Sequence, residues 1–430
     1  LQNTNLNYKA WLDDCVKAGL NAVHVWSFVA PRQRLDGSLV EARYGYVFPG
    51  VTPWARRDSG PRAADGGFCW DLHRWDEGDS PEQYWPRLRG LCRGAQQRGL
   101  ILDITVFWGW PKHASDWKFH PFNVINGGII EDIPSPHVSR VQRIAEPGVE
   151  VFQETWSEDW PVEKKNQWLW ERFCDKLIKE TAPFDNIFFI FMDEHSYDEG
   201  NGGDHFRAFF QRRGCRWTDW DRRRASVDYV FEDIPHDPVY GRNSGVVKFF
   251  ERSPVRPLLI LEGGPYQGDA VRITLWSALT GGASYFFHND EGLETVHTGI
   301  MQYDPNVPRA PSTTPRMEWM GIAARFFCDH VRDLDRWRPM NELVEPSSVF
   351  CFADPGNAFV LYLMPGKDET IQLDLRVYDN TFVARYFDPR QGEWLSETAL
   401  EGGAVSTFER PSAEDWVLFV QRQIKDPVMP

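Results

Sequence analysis

Apolar residues recur at helical spacing in some stretches of this chain and in short unbroken runs in others, and the two kinds of stretch alternate. Tyr8–Ala18 places Trp11, Leu12, Cys15 and Val16 on one face and is followed by Gly19, which predicts a helix with a glycine stop. Residues 21–28, rich in Val and Trp, follow as a strand. Ser80-Pro-Glu-Gln83 offers a capping serine, a proline in the first turn and a glutamine three residues past the cap, so a helix is predicted over residues 80–98, ending at Gly99. Residues 100–108 form the next strand. A helix over Val162–Thr181 leads into a strand at 186–192, and shorter strands are predicted at 215–220, 227–231, 257–261 and 283–287. The last two are separated by a helical Ala270–Leu279. Near-continuous apolar strands alternating with helices indicate a parallel sheet buried on both faces, an α/β architecture of the (β/α)8 barrel type. Seven strands are visible where a closed barrel has eight. The first would precede Leu1, or survive as a remnant in residues 1–7, or the sheet is not closed.

Residues 304–315 hold four prolines and read as a loop, and a helix over about 317–334 follows it. Beyond Pro346 the pattern changes to short strands at 348–352, 358–363, 370–375, 382–387 and 416–420, separated by turn residues such as Asp354-Pro-Gly356 and Pro365-Gly366. This spacing predicts a small antiparallel β-sandwich. The expected organisation is a barrel over residues 1–340 and a sandwich over 341–430, the latter packed on the barrel rather than serving as a separate glycan binder.

Charge and composition narrow the chemistry. With 47 basic and 62 acidic side chains the chain carries a net charge of −15, which argues against nucleic acid or an anionic membrane as partner. No apolar run approaches the roughly 18 residues of a membrane span. The 20 Trp, 29 Phe and 13 Tyr suit either a large aromatic core or platforms for sugar rings, and composition alone does not choose. Seven cysteines, an odd number with no CxxC pair, signal neither a zinc site nor a disulfide framework and point to free thiols in a reducing compartment. No signal peptide opens the sequence, although secretion stays open because its first residues read like the middle of a domain.

In parallel barrels the functional groups project from the carboxyl ends of the strands. Two apolar runs here end in acids: 186–192 is followed by Asp193-Glu194, and 257–261 by Glu262. With the missing strand counted, these are the fourth and seventh. Two such acids can divide the labour of glycosidic cleavage, one giving a proton to the leaving oxygen and the other attacking the anomeric carbon. Carboxylates in these places also cap helices or pair with Arg in proteins without such chemistry. Trp26, Trp108 and Trp110 follow the ends of the second and third strands, Tyr266 lies just past Glu262, and His288, Asn289 and Asp290 follow the eighth. Asp103, inside a strand, is read as a core polar group that finds partners. The segment 193–205 is dense in metal-ligand side chains but has neither the HExxH spacing nor an EF-hand pattern. Rossmann, Walker and Gly-x-Ser-x-Gly signatures are absent.

Taken together, these strand-end acids resemble those of clan A glycoside hydrolases, and within that clan the chain is most similar to apiosidase-like and cellulase-type barrels with a C-terminal β domain. The resemblance rests on Trp11-Leu-Asp-Asp-Cys-Val-Lys-Ala-Gly-Leu-Asn-Ala-Val-His-Val-Trp26, Trp70-Asp-Leu-His-Arg-Trp75, Arg98-Gly-Leu-Ile-Leu-Asp-Ile-Thr-Val-Phe-Trp108, Leu275-Trp-Ser-Ala-Leu-Thr-Gly-Gly-Ala-Ser284 and Tyr386-Phe-Asp-Pro-Arg-Gln-Gly-Glu-Trp394. It implies that Glu194 is the acid/base, that Glu262 is the nucleophile, and that no cofactor is needed. It also implies retention of configuration, with the two carboxyl groups about 5–5.5 Å apart. Asp193 stands where the family has a sugar-binding Asn, which leaves open whether Asp193 or Glu194 is the acid. His24 stands where many relatives place Arg. With Trp26, Trp108, Trp110, Tyr266, His288 and Asn289, these two residues are the expected contacts to a carbohydrate substrate. Two other readings stay open: a catalytically idle barrel that binds carbohydrate, and a metal-dependent hydrolase on the same barrel.

Overall fold

The computed structural model describes residues 2, 4, 6–28, 51–107, 117–131, 144–192, 202–219, 229–231, 239–252, 258–260, 269–285, 314–367 and 370–423. The chain divides into two compact units, one of residues 1–17, 21–228 and 289–310, the other of residues 18–20, 229–288 and 311–430.

The first unit begins with helix α1 (Tyr8–Ala18) and strand β1 (Ala22–Trp26). The antiparallel hairpin β2 (Trp54–Arg56) and β3 (Trp70–Trp75) comes next, then α2 (Tyr84–Gln97) and β4 (Ile101–Phe107). Helix α3 (Val162–Thr181), strand β5 (Ile187–Met192), helix α4 (Gly202–Arg212) and strand β6 (Trp217–Asp219) complete it. Strands β1, β4, β5 and β6 are parallel and adjacent in that order. On β1 and β4 the alternation is clear. Val23, Val25, Leu102, Ile104 and Val106 form one buried apolar face, whereas His24, Asp103 and Thr105 fall on the other.

Helix α2 starts later than its serine predicts. Ser80 Oγ accepts the Glu82 amide and Gln83 Oε1 accepts the Ser80 amide, each at 3.3 Å, but these bonds close only a turn. The helix begins at Tyr84, whose amide donates to Asp76 Oδ2 at 2.9 Å, so the carboxylate that ends the hairpin segment takes over the capping.

The second unit holds three parallel strands, β7 (Tyr229–Phe231), β8 (Leu258–Ile260) and β9 (Ala283–Tyr285), with helices α5 (Val239–Arg252), α6 (Ala270–Leu279) and α7 (Thr314–His330). Four parallel strands in the first unit and three here match the seven read from the sequence, among the described residues. After α7 come β10 (Arg338–Pro339), β11 (Val344–Glu345), β12 (Val349–Asp354), β13 (Ala358–Leu363), β14 (Thr370–Asp374), β15 (Thr381–Asp388), β16 (Glu393–Glu401), β17 (Val405–Glu409) and β18 (Trp416–Arg422). They build an antiparallel sheet of order β10-β12-β13-β18-β15-β16 and a smaller one of order β11-β14-β17.

Period-two alternation on the central strands of the larger sheet sends its side chains to two cores. Cys351, Phe359, Leu361, Leu363, Leu418 and Val420 pack against Ile371 and Leu373 of the small sheet. Phe350, Phe352, Val360, Tyr362, Val417 and Phe419 pack instead on Leu275 and Trp276 of α6 and on Ile322 and Phe326 of α7. Both faces of the main sheet are thereby covered, one by its partner sheet and one by helices, in agreement with a sandwich that packs rather than stands apart. Trp394 joins the second core through Phe326, and Trp416 is buried, so neither is an exposed platform. All seven cysteines are free thiols. No helix among the described residues is long and apolar enough to cross a membrane.

Candidate active site

Strand β5 closes at Met192, immediately before Asp193-Glu194, and β8 closes at Ile260, two positions before Glu262. In sequence, each acid therefore lies just past the carboxyl end of a described parallel strand. Asp193, Glu194, Glu262, Trp108, Trp110, Tyr266, His288 and Asn289 themselves lie outside the described residues, as do Asp290 and the acidic segment 193–201. Of the expected contacts, His24 and Trp26 are described, and the structure brings them together.

Register pairs His24 with Asp103 and Trp26 with Thr105. His24 Nε2 lies 2.8 Å from Thr105 Oγ1, and Nδ1 lies 3.5 Å from Asp103 Oδ2. The Asp103 side chain is fully buried, whereas that of His24 keeps 20% exposure. Asp103 thus finds a partner, as read from the sequence. Its charge favours a proton on Nδ1, and a neutral ring then accepts the Thr105 hydroxyl proton at Nε2. Trp26, the last residue of β1 and partly exposed, meets the His24 ring edge to face at 5.8 Å. Thr105 was not singled out from the sequence. The available signal was a pair of polar residues, Asp103 and Thr105, two apart in an otherwise apolar strand, which places both on one face.

Segments following β1 and β4 pack into one wall. Trp54 of β2 is buried and contacts Phe28, Phe122, Trp170 and Phe173 at ring separations of 4.9–6.2 Å. The Ala64 amide donates to Asn126 Oδ1 at 2.9 Å, which ties the hairpin to the 117–131 segment. His120 stacks on Trp117 and is pushed down to about 3 by burial, so it is neutral. Its Nδ1 accepts the Phe122 amide at 3.1 Å. Trp54, Trp70, Trp85, Trp117 and Trp276 are almost completely buried, so these five tryptophans serve the core. Trp75 and Trp168 sandwich the Arg172 guanidinium at 4.9 and 4.4 Å. Nearby His73 is lowered by burial and by that cation.

Farther along the same segment, Glu171 of α3 is fully buried and satisfied. Its Oε2 accepts the Val151 and Phe152 amides at 2.7 and 2.8 Å, and its Oε1 accepts from Gln167 and His205, each at 2.7 Å. His205 Nδ1 accepts the Gly148 amide at 3.0 Å, which puts the ring proton on Nε2. Among the described residues no cluster of three or more His, Cys, Asp or Glu side chains could hold a metal ion.

Comparison with known proteins adds the following. Residues 346–421 match a family model described as a putative collagen-binding domain of a collagenase. No curated protein matches the sequence significantly. Among solved structures, the chain is similar to a glycoside hydrolase at 13% identity, covering 97% of this chain and 89% of that one with a TM-score of 0.61. A family 5 glycoside hydrolase from Bacteroides vulgatus is similar at 16% identity, with 98% and 87% coverage and a TM-score of 0.61. A noncanonic maltogenic α-amylase from Thermotoga neapolitana matches at 10% identity, with 99% and 96% coverage and a TM-score of 0.53. The chain has the fold of the TIM-barrel glycoside hydrolases, a (β/α)8 barrel followed by a C-terminal antiparallel sandwich.

Proposed function

We propose that this protein is a retaining glycoside hydrolase acting on an oligo- or polysaccharide, with residues 1–340 as the catalytic barrel and 341–430 as an accessory sandwich. The observation that carries this reading is the position of two carboxylate-bearing segments directly after the carboxyl ends of β5 and β8, in a fold shared with glycoside hydrolases. Fold alone does not specify chemistry, so the assignment rests on those strand-end acids. In the proposed mechanism a Glu262 carboxylate oxygen attacks the anomeric carbon while Glu194 gives its proton to the glycosidic oxygen, and the C–O bond to the leaving sugar breaks. Glu194 then takes a proton from water, whose oxygen attacks the same carbon and releases Glu262. No cofactor enters the scheme.

The test is hydrolysis across aryl glycosides and plant and microbial polysaccharides by wild type, Glu194→Gln and Glu262→Gln. Loss of activity in both variants supports the assignment. Activity that survives Glu262→Gln sinks the nucleophile role. A wild type that binds glycan without turnover supports an idle barrel instead, and activity abolished by a chelator points to the metal-dependent alternative.

A further inference from the structure

His24 Nε2 is within hydrogen-bond reach of the Thr105 hydroxyl at 2.8 Å, and Nδ1 faces the buried Asp103 carboxylate at 3.5 Å, an ion-pair contact longer than a formed hydrogen bond. A histidine held this way is poorly placed to bond a sugar hydroxyl through nitrogen. What it presents instead is a fixed ring edge, and that edge meets the Trp26 indole at an interplanar angle of 65°. Edge-to-face packing of this kind favours one orientation of a partly exposed indole. Trp26 closes β1 at its carboxyl end, the end at which parallel strands present functional groups, and it shares a strand face with His24, Asp103 and Thr105.

We propose that Trp26 is a stacking platform for a sugar ring of the substrate and that His24 is its positioning residue, locked by Asp103 and Thr105. This deepens the glycosidase reading and rests on it. It reassigns His24 from substrate contact to support: the Asp103–His24–Thr105 chain fixes the ring, and the ring fixes the indole. An indole already held in its stacking pose loses less side-chain freedom on binding than a freely rotating one.

The experiment uses the full chain and compares Trp26→Ala, His24→Leu, the double variant and Trp26→Phe. Binding of cello-, xylo- and malto-oligosaccharides is followed by calorimetry, and hydrolysis of the corresponding polysaccharides is followed as kcat and KM. Trp26→Ala is expected to weaken binding about tenfold, and His24→Leu by up to a similar factor. Because His24 acts through the indole, the double variant should bind no more weakly than Trp26→Ala alone. KM should rise while kcat changes much less, and Trp26→Phe should recover part of the loss. Should His24→Leu fail to fold, Thr105→Val removes the Nε2 partner at nearly constant volume and should move KM in the same direction. Independent, multiplying losses, or wild-type binding by both His24→Leu and Thr105→Val, would overturn the positioning role while leaving the glycosidase reading intact. A wild type that neither binds nor cleaves any of these glycans overturns both.

Discussion

Arg272 and Asp415, 143 residues apart in sequence, form a bidentate ion pair in which Nε donates to Oδ2 at 2.9 Å and Nη2 to Oδ1 at 2.8 Å. Neither side chain is more than 1% exposed. Tyr362 adds a hydroxyl hydrogen bond to Asp415 at 3.2 Å, and Asp269 accepts from Arg272 Nη1 at 2.9 Å. Burial pulls the guanidinium pKa down, and its bonds to Asp415, with help from Asp269, more than reverse this, leaving it raised. The pair joins α6 to the turn before β18, beside the parallel stack of Trp276 on Tyr362. Planar bidentate geometry is what Arg supplies and Lys does not.

Breaking this pair from one side should be costly. Arg272→Leu strands the buried Asp415 carboxylate, with an expected loss of about 3–5 kcal/mol in urea unfolding, and Asp415→Ala, which leaves the guanidinium its Asp269 contact, should cost somewhat less. Removing both charges with well-packed apolar residues should cost much less than the sum of the single changes. Equal, additive losses would mean that the pair contributes through packing alone.

The match to a collagen-binding model falls on the sheet whose two faces are already occupied. Any ligand of that region would have to use its edges, its loops or the outer face of the small sheet. The C-terminal strands are therefore better described as a covering for α6 and α7 than as a module carried on a linker.

Much of the fold is legible in the sequence because it rests on local apolar periodicity. Tyr8–Ala18, Val162–Thr181 and Ala270–Leu279 are helices with the boundaries their spacing gives, and each described parallel strand falls within its apolar run. One strand that the sequence does not reveal lacks this signal. β16 carries Glu393, Glu397 and Glu401 on the edge of its sheet and is exposed along nearly its whole length, so no alternation marks it. Such charges protect a free edge from further pairing. Its hairpin with β15 instead turns at Gly392, whose φ of +76° suits glycine. At the site, the partnership of His24 with Thr105 joins residues 81 apart. It depends on which strands are neighbours and in what register, which residue types alone do not specify.

Glu171 anchors the segment that precedes α3. Two of its four hydrogen bonds come from the Val151 and Phe152 amides, and a third from His205, whereas Gln167 Nε2 also donates to the Glu146 and Val149 carbonyls. Glu171→Ala is expected to cost more than about 3 kcal/mol, because each orphaned buried donor is worth roughly 1–3 kcal/mol. Limited proteolysis should then cut within residues 146–152, where wild type resists. Glu171→Gln keeps one acceptor oxygen and should be milder. Unchanged protection in the alanine variant would remove the anchoring role.

A pH dependence follows from Glu150 in the same segment. Its carboxylate accepts from Arg213 Nη2 and Arg212 Nη2, each at 2.7 Å, with longer bonds from Arg213 Nη1 and Arg212 Nε. Arg213 is the main cause holding its pKa at about 2, against the opposing effect of burial and with help from Arg212. In the unfolded chain the same group titrates near its ordinary 4.5. The unfolded state therefore binds the proton more readily between these values. The stabilisation is complete above about 4.5 and is lost as the pH falls toward 2. Glu150→Gln should be less stable than wild type at pH 7, by roughly 1 kcal/mol for a pair that is only partly buried. Unfolding curves recorded from pH 7 downward should converge through that window. A difference that persists unchanged at the acid end would assign the effect to lost packing rather than to the carboxylate's charge.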